Sequence, residues 1–170
     1  MRRHPRGVDE AHRVPQERAR ARLQAYVYGN ILVLASVVAA TPEYVENGNA
    51  ALVVIATTVT TYLAHVLAFS VASNLDPQPE TNLEELRDAL PIISSGSLPT
   101  VLLVIAALTD SDTRVLQLTA AAVIVARLAG TGALVSRLSG RPVSRDSHLA
   151  GAVVAVIAAV ITVLKVQLLH

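Results

Sequence analysis

Apolar residues fill five long stretches of the chain, and the charged residues are almost confined to the N-terminal region and the connections. The stretches run over about residues 23–40, 50–73, 90–108, 115–138 and 149–169. About 20 apolar residues at a rise of 1.5 Å cross a hydrocarbon core of about 30 Å. The strict apolar–polar alternation of a barrel strand is missing. The pattern therefore predicts an all-α fold, a polytopic transmembrane helical bundle with five spans.

The connections carry their own signals. The first apolar stretch is too long for a signal peptide and has no small-residue cleavage site after it, so a retained helix is expected. Tyr26 and Tyr28 stand near its start, where interfacial aromatics collect. A short surface helix is expected over about residues 81–90. Thr81 and Glu84 have capping-box spacing, and Leu83, Leu86 and Leu90 share one face while the charges share the other. The third span holds Pro91 and Pro99 around Ser94-Ser95-Gly96-Ser97. A proline inside a helix removes one hydrogen bond and presses on the carbonyl four residues back. A helix break is expected at Pro91, Ser95, Gly96 and Pro99. It reads either as a kink relieved by serine hydroxyls or as an unwound segment lining a cavity. In the fourth span, Gly130 and Gly132 invite close approach of a neighbouring helix.

Composition agrees with this class. The chain is 52% hydrophobic with a mean hydropathy of +0.50, and 16% of its 170 residues are charged, against about a quarter in soluble domains. The net charge of +1 conceals a strong asymmetry. Residues 1–22 contain seven arginines and two prolines. They read as an Arg-rich cytoplasmic tail, mostly disordered until Pro15, with a short helix starting near Gln16; the arginines either set the topology or form an arm for anionic lipid, nucleic acid or a partner. No aromatic residues are interleaved there, so no nucleic-acid partner is expected. Arg87, Arg137, Arg141 and Arg145 fall on the same side as the tail, whereas Arg114 and Lys165 fall on the other. The excess of arginine predicts the N-terminus inside and the C-terminus, with His170, outside. The lack of cysteine excludes disulfides, thiolate metal sites and cysteine nucleophiles.

Candidate chemistry rests on a few polar residues inside the spans. Arg127 sits in the middle of "AAAVIVARLAGTGAL", and His65 near the middle of the second span. No aspartate or glutamate falls inside a predicted span. A central arginine costs about 2.5–3.5 kcal/mol on insertion scales, so something must offset it. The offsets open to Arg127 are snorkelling, pairing with Glu84, Glu85 or Asp88, donation to carbonyls freed by Pro91 or Pro99, a hydrated anion site, or a carboxylate from another subunit. An inward position near His65, facing the second and third spans, is expected. His65 shares a face with Thr58, Thr61, Tyr62 and Phe69. An imidazole titrates near pH ~6.5 in water, so it serves either as a proton relay or as a plain hydrogen-bonding group. Asn30 is expected to form an interhelical hydrogen bond. The ligand or proton-relay candidates are thus Arg127, His65, Tyr62, Thr61 and Asn30. One buried histidine offers too few ligands for a metal. No H-E-x-x-H, G-x-S-x-G or phosphate-binding loop is present, so no catalytic residue and no cofactor is assigned.

The segments "AYVYGNILVLASVVAATP", "TTYLAHVLA", "LPIISSGSLPTVLLV" and "LKVQLLH" together resemble a group of uncharacterised small polytopic integral membrane proteins of high-GC Gram-positive bacteria. The similarity spans Ala25 to His170. It implies a bacterial plasma membrane location and Tyr28, Gly29, His65, Pro91 and Pro99 as motif residues, and it implies no activity. Richness in Ala, Val and Arg with a single Lys fits such a source. The expected function is that of an interaction or transport-type subunit organised around Arg127 and His65. Its partners would be the lipid bilayer and a second copy or another membrane protein. The alternative is a membrane-embedded enzyme acting on a lipid or lipid-linked substrate.

Overall fold

The computed structural model describes residues 6–73, 82–109, 111–138 and 142–169. These residues form α1 (Arg6–Ala39), α2 (Pro42–Glu46), α3 (Asn49–Ser73), α4 (Asn82–Asp88), α5 (Leu90–Leu108), α6 (Thr113–Ala129), α7 (Thr131–Leu138) and α8 (Arg145–Leu169), with no strand among them. Five helical segments are long and apolar enough to cross a membrane: Arg18–Ala39, Asn49–Ala72, Glu85–Leu108, Thr113–Arg137 and Arg145–Leu164. Two of them are built from consecutive helices, α4 with α5 and α6 with α7.

Side-chain caps set the turns at the end of the bundle away from the tail. Thr41 accepts from the Tyr44 N–H and starts α2, with Pro42 following it in the first turn. Gly48, at φ 77°, takes the left-handed conformation that turns α2 into α3. Asp112 accepts from the Arg114 and Val115 N–H groups and starts α6. Gln117 of α6 reaches back to α1, where its Nε2 donates to the Val37 and Ala40 carbonyls at 2.8 Å each. Those carbonyls lie at the helix end, where intrahelical donors run out.

α1 is the hub, packing against α3, α5, α6 and α8. α5 lies between α3 and α6, and α8 closes against α6 and α7. Among the described residues α3 and α6 do not touch. Val33, Leu34 and Val37 of α1 meet Val54, Leu103, Ile124, Leu128 and Ala158 in the core. The spans differ in how much protein covers them. The window of α1 is 39% buried and that of α3 only 17%, so α3 is the helix most exposed to lipid.

Four expectations need correcting. The segment before Pro15 is helical from Arg6 rather than disordered. The helix expected at the membrane surface is α4, and the residues it buries are acids, with Leu86 half-buried. Glu85 and Asp88 are buried, whereas Leu83 and Leu90 are exposed. The reason is that Ala89, at φ −83° and ψ −13°, keeps the chain close to helical geometry. One inward stripe therefore runs Glu85, Asp88, Ile92, Ser95, Pro99, Leu103, Ala106 across both helices. Leucines that look like a surface anchor in isolation face lipid once α4 is stacked on a span. Thr81 of the expected capping box lies outside the described residues, as do His170 and the Lys165 side chain.

The third correction concerns the serine-rich segment. α5 is helical without interruption from Leu90 to Leu108, with Pro99 inside it, so the unwound segment offered as one form of the break is not formed at Ser95 and Gly96. Serine hydroxyls donate back into the helix, Ser94 to the Pro91 carbonyl (2.9 Å), Ser95 to Ile92 (2.6 Å) and Ser97 to Ser94 (2.9 Å). The helix boundaries fall at Ala89, just before Pro91, and at Gly130.

The fourth concerns the glycines. Gly130 meets only carbonyls of its own turn, whereas Gly132 packs directly on α8. A Cβ on Gly132 would run into the Ser147 carbonyl oxygen, and a Cβ on Gly151 into that of Ala129. Gly29 faces Ser95 and Gly96 faces Thr58, so α5 fits between α1 and α3.

Gly132→Ala and Gly151→Ala should each lower stability by about 1–3 kcal/mol, the usual cost of overpacking, because backbone blocks the new methyl. Gly96→Ala should cost less, since the group in the way is a threonine side chain. Thermal unfolding in detergent checks the order; a wild-type melting temperature for Gly132→Ala would contradict the α7–α8 contact.

Candidate functional site

Polar side chains gather toward the end of the bundle where α1 enters. Arg22, Tyr26 and Asn30 recur every four residues on α1 and so share one face. Two groups of interactions form around them, on opposite sides of α5.

The first is built by Arg127. Its Nη1 donates to the Ser94 carbonyl at 3.1 Å and to the Ser95 carbonyl at 3.4 Å. Its Nε donates to the Tyr26 hydroxyl at 3.3 Å, and the guanidinium lies 5.3 Å from the centre of the Tyr26 ring. The Tyr26 hydroxyl in turn donates to the Arg127 carbonyl at 3.5 Å. Ser95 stands four residues before Pro99, so its carbonyl is the one that Pro99 has no N–H to serve. Arg127 supplies the missing donor from another helix. Among the described residues the arginine donates to two α5 carbonyls, of which that of Ser95 is the proline-freed one.

The second group joins α1, α3 and α4. His65 Nε2 lies 3.5 Å from Glu85 Oε1, with side-chain exposures of 30% and 6%. Arg22 Nε donates to Asp88 Oδ1 at 2.6 Å, where the arginine is 55% exposed and the aspartate 5%. Tyr62 Oη donates to the Leu86 carbonyl at 3.4 Å. Thr58 and Thr61 are buried on the same face of α3. His65, Tyr62 and Thr61 thus occupy the inward polar stripe that their spacing indicates.

Two placements differ from the sequence reading. Arg127 does not face α3 near His65, because α1 and α5 stand between them. Asn30 is fully buried, but its Nδ2 donates to the Tyr26 carbonyl of its own helix at 2.7 Å, and its Oδ1 has no partner among the described residues. The spans are also not free of carboxylates, since stacking α4 on α5 brings Glu85 and Asp88 into the third. The sequence reading does not single out Arg22, takes Tyr26 only as an interfacial aromatic, and takes Glu85 and Asp88 only as possible partners of Arg127. The four-residue spacing on α1 and the stripe through α4–α5 are the signals that point to them.

Two clefts open beside these groups. One, of about 380 Å³, lies between α1, α5 and α7 and is lined by Arg18, Arg22, Leu23, Tyr26, Pro91 and Leu134 among others. The second, of about 570 Å³, is lined by Arg22, Tyr26, Arg87, Leu90, Pro91 and Ser94. Among the described residues no three His, Asp or Glu side chains are grouped as a metal would require. Fold and site define a multi-pass helical membrane protein with a polar layer at one end. No protein-family model matches the chain, and no curated protein or solved structure is similar to it.

Arg127→Leu should destabilise the protein, because an unsatisfied buried polar group costs about 1–3 kcal/mol, and Arg127→Lys should do so too, lacking the planar fork. In a Pro99→Ala background, where the Ser95 carbonyl regains a backbone donor, Arg127→Leu should cost less, by about 1 kcal/mol of coupling. A double-mutant cycle of thermal unfolding checks this; additive effects would dissolve the link between Pro99 and Arg127.

Proposed function

We propose that the chain is a transport-type subunit of a bacterial plasma membrane, working as an oligomer or with a membrane partner, in which the His65–Glu85 pair is the proton-bearing element. The observation that carries this is the 3.5 Å approach of His65 Nε2 to a carboxylate that is 6% exposed, at the junction of two spans. Ionisable groups inside a membrane are costly and mark relays and ion pathways. A proton placed on or taken from this pair changes the charge between α3 and α4, and so the strength with which the two helices dock. Arg127 has a different role. Its guanidinium is committed to the Ser94 and Ser95 carbonyls and to Tyr26, so it braces α5 against α6 rather than receiving an anion. In this reading the arginine-rich end, with Arg22, Arg87, Arg137 and Arg145, faces the cytoplasm, as the positive-inside rule demands.

Proteoliposomes with a trapped pH dye test the relay. An inward acid step should acidify them faster than protein-free vesicles, and His65→Asn and Glu85→Gln should each remove the excess rate. Wild-type protein no faster than empty vesicles would reject proton movement. Orientation is checked separately. The chain has no cysteine, so Ser111→Cys and Ser144→Cys give single labels in opposite connections. In intact cells an impermeant maleimide should label position 111 and spare 144; the reverse pattern would invert the topology.

A further inference from the structure

We infer that the two clefts flanking Arg22 and Tyr26 hold an anionic phospholipid, with its phosphate among Arg18, Arg22 and Arg87. The clefts share Arg22, Tyr26 and Pro91, so they adjoin along one side of α1. Three guanidinium groups line them. Arg22 gives its Nε to Asp88, yet 55% of its side chain is exposed and it lines both clefts. Arg87 is exposed on α4. Among the described residues, Asp88 and Glu85 are buried against Arg22 and His65, and the lining of the two clefts carries arginines and no acid.

Charge alone would suit any phosphate. The remainder of the lining is what selects a lipid: Leu23, Leu90, Leu134 and Pro91 give apolar walls that continue from the arginines into the span. A free anion gains nothing from such walls, whereas an amphiphile covers them with its acyl chains. Basic pockets between helices at a membrane face take acidic head groups by this combination. Leu90 is half exposed beside the cleft, on the face of α5 that meets the bilayer, so an acyl chain reaches the site without leaving the lipid phase. The inference uses the membrane orientation of the helices and does not depend on proton transfer at His65.

Native mass spectrometry of the full chain, with phosphatidylglycerol or phosphatidylcholine added, tests the site. Wild-type protein should hold phosphatidylglycerol at least about tenfold more tightly, the weight of one or two arginines beside an anionic group. Arg18→Gln/Arg87→Gln should reduce that preference to about twofold or less. Arg114→Gln, an exposed arginine at the opposite end, should leave it intact. Thermal unfolding gives a second reading, in which phosphatidylglycerol raises the melting temperature of wild type more than that of the double variant. Equal binding of the two lipids to wild type would overturn the inference. So would a preference that survives in Arg18→Gln/Arg87→Gln, or a stabilisation that inorganic phosphate alone reproduces.

Discussion

Pro99 withholds a backbone donor from the Ser95 carbonyl inside a helix packed among its neighbours in a membrane bundle, where water is not at hand to replace it. Arg127 carries a charge into the same medium. Either feature alone is unfavourable: the carbonyl by about 1–3 kcal/mol if left unpaired, the arginine by about 2.5–3.5 kcal/mol on insertion scales. Brought together they satisfy each other, and Tyr26 holds the guanidinium in place from a third helix. The result ties α1, α5 and α6 at one point, which a leucine contact among lipid tails would not do, because lipid competes with leucine on equal terms.

On the far side of α5 the same economy of polar groups operates through charge. Asp88 and Glu85 are shielded from lipid by the stacking of α4 on α5 and are met by Arg22 and His65. Among the described residues α3 and α6 do not touch, and α1, α2 and α5 pack against both of them. Ser95 and Gly96 are small enough for α1 and α3 to close on that segment from either side, so a shift of α3 is passed to α5 by direct packing.

The five spans were legible because their signal is long, and summed hydropathy over about 20 residues outweighs local irregularities. The inward face of α3 was legible too, because Thr58, Thr61, Tyr62 and His65 repeat at helical spacing on an otherwise apolar helix. The orientation of α4 was not. Seven residues with leucines on one side and acids on the other have two solutions, leucines toward a membrane surface below or leucines toward lipid at the side. Only the phase of the stripe from Ile92 to Ala106, carried back through Ala89, separates them. The bond from Arg127 to α5 was among the readings of the sequence, but its proximity to His65 was not correctly inferred. Which helices neighbour one another depends on packing between distant segments, and the small residues that decide it, Gly29, Gly96, Gly132 and Gly151, leave no periodic trace.

α1 touches α8 as well as the helices between them. A ribosome feeding this chain into a bilayer delivers α1 before α8, so α1 waits in lipid with Tyr26 and Asn30 on a face that is later covered. Its carbonyl-terminal end waits as well, until Gln117 arrives to bind Val37 and Ala40. Biogenesis is therefore a sequence of partial shelters, in which α1, made before the helices it packs against, waits as far as α8 for its full set of neighbours. A chain stopped before α8 would leave the hub open along one side, and membrane quality control would meet it as an α1 face of small and polar residues with nothing to close on.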